Sequence, residues 1–182
     1  SILSNIELKE DDAIKLFVGQ KSTLETMLDH GTMILSNSYD GVPLSISISD
    51  EAPHAAVKKK MIQQLQSPAD GKFWIRRAEN GAPPGILLQT LRVHLLNYRD
   101  MDLFNRIFNS TAPVSLYNEI SMLRTLLSIC ESLLRRYPTT IPEDDQALQE
   151  SGFGRSVDPS NYPPLNRRVI ALFIRIQEKE IL

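Results

Sequence analysis

Any chemistry in this chain has to come from three histidines, one cysteine and a few charged runs. His30, His54 and His94 lie far apart, and none has a partner at a metal-ligating spacing such as i, i+4. His94 falls in an otherwise apolar helical stretch and reads as a hydrogen-bonded structural histidine. Cys130 is the single cysteine, which excludes an internal disulfide and a cysteine-cluster metal site. On an apolar helix face it reads as a small buried thiol. No glycine-rich phosphate loop, no serine in a nucleophile elbow and no cysteine–histidine pair is present. Glu143, Asp144 and Asp145 suggest a carboxylate pair or a cation site, but they open a helix, where unpaired amides and the helix dipole favour acidic side chains. Lys58, Lys59 and Lys60 form the only basic run; with no aromatics interleaved, they read as a solvated helix face. The residues alone offer no active site and point to a binding or structural module.

Those groups are carried by a helical frame. The stretch Pro113–Tyr137 organises it. Leu116, Ile120, Leu123, Leu127, Cys130, Leu134 and Tyr137 recur at three- and four-residue steps and predict one apolar stripe along a helix. Leu126, Ile129 and Leu133 widen that stripe, as expected of a buried bundle helix. Ser115 caps its start and Pro138 stops it. Upstream, Ala13–Val18 reads as a short strand with no evident partner. Ser22 with Glu25 forms a capping box for a helix whose buried side is Leu24, Met27 and Leu28, ended by Gly31. Val42, Leu44, Ile46 and Ile48 alternate with small polar residues and predict a strand, paired in a hairpin with Met33–Leu35. Ser49–Pro53 starts a helix running through Val57, Met61 and Leu65, and Lys72–Arg76 is a second short strand. Pro83-Pro84 launches another helix. Thr139–Asp144 caps a short one, and Leu165–Leu182 is the last, with Val169, Leu172, Phe173 and Ile176 inward and Arg167, Arg168, Arg175 and Lys179 outward. Residues 151–164 are a loop by composition.

The totals suit this frame. The chain has 182 residues, enough to bury a core without staples, with 42% hydrophobic and 23% charged residues. Its formal net charge of −2 gives no global field for nucleic acid or an anionic membrane, so direct nucleic-acid contact is not expected. No run reaches the roughly 18 apolar residues of a membrane span. The first residues lack the basic and apolar regions of a signal peptide, which leaves an intracellular location as the expectation.

Two stretches resemble a known family. Leu16-Phe17-Val18-Gly19-Gln20-Lys21-Ser22-Thr23, followed by Glu25 and Gly31, resembles the segment that closes a SET domain. Asn118-Glu119, then Tyr137-Pro138-Thr139-Thr140, Glu143-Asp144 and Glu178-Lys179-Glu180-Ile181-Leu182, resemble the helical substrate-binding domain of SET methyltransferases of the Rubisco large-subunit and actin-histidine type. The resemblance implies a mostly α fold: a helical bundle on residues 113–137, a small β element and the stub of a SET fold. It divides the chain into a SET-like remnant at 1–31 and a substrate- or partner-binding domain at 32–182.

It also carries functional expectations. The family uses S-adenosylmethionine, but its asparagine–histidine motif and most of its cofactor pocket lie upstream of the matching segment. No Asn-His pair occurs here, so no cofactor is expected on this chain. The family tyrosine that faces the methyl-transfer channel aligns with Val18, which has no hydroxyl to orient a nucleophile, so no catalytic residue is assigned. Lys21-Ser22-Thr23 replaces the usual Arg-Ser-Asn. The implied role is a non-catalytic interaction module for a protein partner, on the pattern of the SET-like member of a plastid transcription complex, hence the chloroplast. The alternative is the substrate-recognition domain of an active lysine or histidine methyltransferase. Neither metal nor membrane is implied. Candidate partner-binding residues are Arg76, Arg77, Arg167, Arg168 and Arg175.

Overall fold

A computed structural model describes residues 19–34, 37–68, 70–76, 83–108, 113–154 and 166–182. The described residues are mostly helical with one two-stranded sheet. The expected strand at 13–18, and with it Val18, lies outside them.

Helix α1 spans Thr23–His30 and carries the expected Ser22–Glu25 capping box and a left-handed Gly31 (φ 66°) at its end. Its buried side is not the expected one. Thr23 and Thr26 are buried, whereas Leu24 and Leu28 are exposed. Hydrogen bonds decide this: the Thr23 amide donates to Asp40 Oδ1 at 2.6 Å, and its hydroxyl donates to the Ile34 carbonyl at 2.8 Å. These contacts also hold the segment before the sheet, so the expected hairpin with Met33 and Ile34 does not form. Strand β1 (Gly41–Ser45) instead pairs antiparallel with β2 (Lys72–Arg76), Val42 opposite Ile75 and Leu44 opposite Phe73. Gly71 closes the far end with φ 66°. A Cβ there would lie 2.3 Å from the Ile46 carbonyl oxygen, so only glycine fits.

Between the strands, α2 runs Ala55–Gln64 and starts later than the Ser49–Pro53 signal suggested, behind His54 in a left-handed conformation. Helix α3 is Gly85–His94, followed by a 3-10 helix at Met101–Phe108. Helix α4 is Leu116–Leu134 with Ser115 as its N-cap, α5 is Ile141–Glu150 with a Thr140–Glu143 capping box, and α6 is Arg167–Ile181 capped by Asn166. The helices pair over three apolar clusters. The sheet face (Val42, Leu44, Phe73, Ile75) packs on Leu87 and Leu91 of α3 and on Met122, Leu126 and Leu133 of α4. Leu148 of α5 packs on Val169, Leu172, Phe173 and Ile176 of α6, the inward set expected from the sequence. Met61 of α2 joins Val93, Leu96, Ile107 and Val114 in the third cluster.

The largest departure from expectation concerns α4. The residues read as merely widening its stripe are the ones that face the core. The first part of the stripe is outside: Leu116 is 77% exposed, Ile120 40%, Leu123 54% and Leu127 61%, whereas Cys130, Leu134 and Tyr137 are half-buried. The helix carries two apolar stripes, and a buried polar contact selects between them. Asn118, fully buried, donates its side-chain amide to the Arg92 carbonyl of α3 at 3.1 Å. Beside it, Glu119 accepts from Arg92 Nε at 2.8 Å and from its second nitrogen at 2.7 Å, a two-pronged pair that tolerates little rotation.

Candidate functional site

The residues that carry the family resemblance meet in two places. The first is the Asn118–Glu119–Arg92 lock just described. Burial raises the cost of ionising Glu119, yet its carboxyl titrates below the ordinary range, because the hydrogen bonds from Arg92 dominate. The second joins the end of α4, the start of α5 and the end of α6. Thr140 and Glu143 cap α5 reciprocally, the Thr140 amide donating to Glu143 Oε2 at 2.7 Å. One residue on, Asp144 turns inward and is almost fully buried. It accepts from Lys179 Nζ at 2.5 Å, from the Thr139 hydroxyl at 2.6 Å and from Arg175. Lys179 also donates to the Thr139 carbonyl at 2.9 Å. Burial pushes the Asp144 carboxyl up, but the hydrogen bonds from Lys179 and Thr139 and the charges of Arg175 and Lys179 together hold it below the usual range. Tyr137 donates its hydroxyl to Glu178 at 2.8 Å. Burial first, and then the hydrogen bond to that carboxylate, raise the tyrosine's pKa.

This clamp corrects two sequence readings. Lys179 is buried, not outward-facing, and Asp144 is the centre of an ion-pair cluster, whereas its neighbour Glu143 does the capping. Lys58 is a third correction. It is buried and donates to the His94 carbonyl at 2.8 Å, whereas Lys59 pairs with Asp50 on the surface. Desolvation alone pulls the Lys58 pKa down. The His94 pKa is lowered by burial and by the Lys58 charge. No periodic signal could have shown these burials, because each depends on a partner about 30 or more residues away.

Against the clamp lies an open slot of about 300 Å³ between α5 and α6. It is lined by the apolar Ala147, Ala171 and Leu172, by Thr139, Glu143 and Asp144 from the α5 side, and by Arg168 and Arg175 from α6. Two alanines make the space, and two arginines a pair of helical turns apart flank it. Arg175 spends part of its guanidinium on Asp144, with its Nε buried and without a partner among the described residues. Of the candidate arginines, the fold therefore brings Arg168 and Arg175 together. Arg167 is exposed at the start of α6, Arg76 ends β2 with its guanidinium 5.8 Å from the Trp74 ring centre, and Arg77 lies outside the described residues. Among the described residues no group of three or more His, Cys, Asp or Glu is placed to hold a metal, and no helix is long and apolar enough to cross a membrane.

These features define a mostly helical domain built on a small antiparallel sheet and held by buried ion pairs. The profile of the family described as Rubisco LSMT substrate-binding matches residues 49–182, and the chain belongs to that family. Over 97% of its length it is 29% identical to actin-histidine N-methyltransferase of Rattus norvegicus and 28% identical to that of Homo sapiens, and it spans 29% of either protein. Its fold matches the solved SET domain of LSMT bound to lysine and AdoHcy with a TM-score of 0.73 at 25% identity, over 97% of this chain and 39% of that one. A structure of Rubisco LSMT bound to AdoMet matches with a TM-score of 0.68 at 26% identity, over 88% of this chain and 36% of that one. The chain thus spans less than a third of the length of the curated relatives it matches.

Proposed function

We propose that this chain is the protein-substrate-holding part of a SET-type, S-adenosylmethionine-dependent protein methyltransferase, with residues 1–31 belonging to the SET lobe and 32–182 to the binding domain. The observation that carries the reading is the slot between α5 and α6. Apolar Ala147, Ala171 and Leu172, with Glu143 on the α5 wall and Arg168 on the α6 wall, suit a polar side chain of a protein partner, whose carboxylate would pair with Arg168 while Arg175 stays on Asp144. The buried clamp behind the slot makes that surface rigid. The test is methyl transfer by the longer protein to its protein substrate. Arg168→Glu, at an exposed position outside the clamp, is expected to raise KM about tenfold with kcat little changed, because a binding contact is lost and the chemistry is elsewhere. An unchanged KM would remove the slot from substrate binding.

A second reading rests on Val18. With an aliphatic side chain at the position of the family tyrosine, the parent protein would serve as an interaction module without methyl transfer, as in the SET-like plastid transcription partner that the sequence resembles. Val18→Tyr in the longer protein then creates or raises methylation of a protein substrate. Robust methylation by the unmodified protein would defeat this reading.

A further inference from the structure

The exposed stripe of α4 has the spacing of a helix-pairing seam. Leu116, Ile120, Leu123, Leu127, Cys130 and Leu134 follow one another at alternating steps of four and three, the pattern that lets one helix lie along another; the first four are exposed, Leu134 is half-buried, and Cys130 is half-buried at the edge of the core. The helix cannot hide this seam by rolling, because Asn118 and Glu119 fix its other stripe on the core. A contiguous apolar ridge of this kind on a monomer marks an association surface.

We propose that the occupant is α4 of a second copy of this chain, running antiparallel about a two-fold axis beside Leu127. The charges flanking the seam favour this over other arrangements. On the flank away from the core, Arg124 and Glu131 are exposed, opposite in sign and one heptad apart. In an antiparallel pair this flank meets its own copy, so Arg124 of each chain faces Glu131 of the other, twice. The same register sets Leu127 against Cys130 and Leu123 against Leu134, seam on seam. Among the described residues Arg124 has no ion pair, and Glu131 makes only a long surface contact of 3.4 Å with Arg135. A parallel pair fails on both counts. It would aim Arg124 at Glu119, which Arg92 already holds, and Glu131 at Leu126, which is in the core. One helix pair is a small interface, and the association is weak, on the order of micromolar.

The experiment is sedimentation of this chain, and of the longer protein, across a wide concentration range, with folding of each variant checked by circular dichroism. The expected mass rises from one to two copies. Leu123→Glu abolishes the rise. Arg124→Glu and Glu131→Arg each weaken association about tenfold, and the two together restore it. Arg168→Glu leaves it unchanged, so the fate of the slot and of this pairing are read separately. A single-copy mass throughout, or self-association indifferent to Leu123→Glu, overturns the proposal, as does failure of the charge swap to restore it. A longer protein that stays monomeric and loses stability with Leu123→Glu assigns the ridge to its own upstream segment. One that stays monomeric and loses substrate binding with that variant assigns the ridge to the substrate. Either result also overturns the proposal.

Discussion

Along α4 one row of leucines is outside, and beyond its C-terminal end a set of charges is inside. Leu116 and Leu127 stand mostly in water, whereas Asp144 of α5 and Lys179 of α6, paired with each other beside Thr139, are shielded from it. Hydropathy alone would place both sets the other way round. The contrast teaches that pairing geometry overrides apolarity when a polar side chain finds all its partners. Asp144 is met by a lysine, an arginine and a hydroxyl, so its buried charge is matched by partners that offset its loss of hydration. The leucine ridge finds no partner within the described residues, because α3 and the sheet already occupy the opposite stripe through Met122, Leu126 and Leu133.

The comparison can be broken most forcefully at Asp144. Asp144→Ala strands two cations, one of them fully enclosed, and is expected to cost about 3–5 kcal/mol in urea unfolding. The double replacement Asp144→Leu with Lys179→Met, which removes both members of the enclosed pair, should cost less than Asp144→Ala alone. Equal losses would mean that the clamp is not held by that pairing.

The two stripes of α4 give the next effect. Leu133→Ala should cost about 2–5 kcal/mol as a core truncation. Leu123→Ala, measured at concentrations where the chain is monomeric, should stay within about 0.5 kcal/mol as a surface change. Matching costs would show that both stripes are packed.

The smallest effect separates the two carboxyls of the clamp by pH. Burial raises the Glu178 pKa above its ordinary 4.5; the Tyr137 hydrogen bond opposes the shift, and the Asp40 charge adds to it. A carboxyl raised in the folded state supports the fold below 4.5 and loses that support as pH rises through its folded value. Asp144, held low, supports the fold above its ordinary 3.8 and loses that support as pH falls through its folded value. Glu178→Gln keeps an acceptor for Tyr137 and removes the titration. Its Tm relative to the unmodified protein should therefore climb as pH is raised from about 4.5 toward neutrality. Parallel curves across that window would show that Glu178 titrates as an ordinary surface carboxyl.

Much of the frame was legible in the residues, because its signals are local. Ser22 with Glu25, Ser115, and Thr140 with Glu143 mark helix starts through contacts within one turn. The inward face of α6 was equally readable, since Val169, Leu172, Phe173 and Ile176 recur at three- and four-residue steps. The candidate site was legible only in part: Arg168 and Arg175 stood out as charges, whereas the slot between them needed Ala147 and Leu172 brought from two helices.

By itself, then, the amino-acid sequence determined where helices start and stop and which family pattern their charged residues follow. Those features depend on neighbours a few positions apart. Only the tertiary structure decided which stripe of α4 goes in, which strand β1 takes as its partner, and that Asp144, Lys179 and Lys58 are enclosed. Each of these rests on a hydrogen bond or ion pair between distant segments, and no local periodicity encodes where a distant partner will stand.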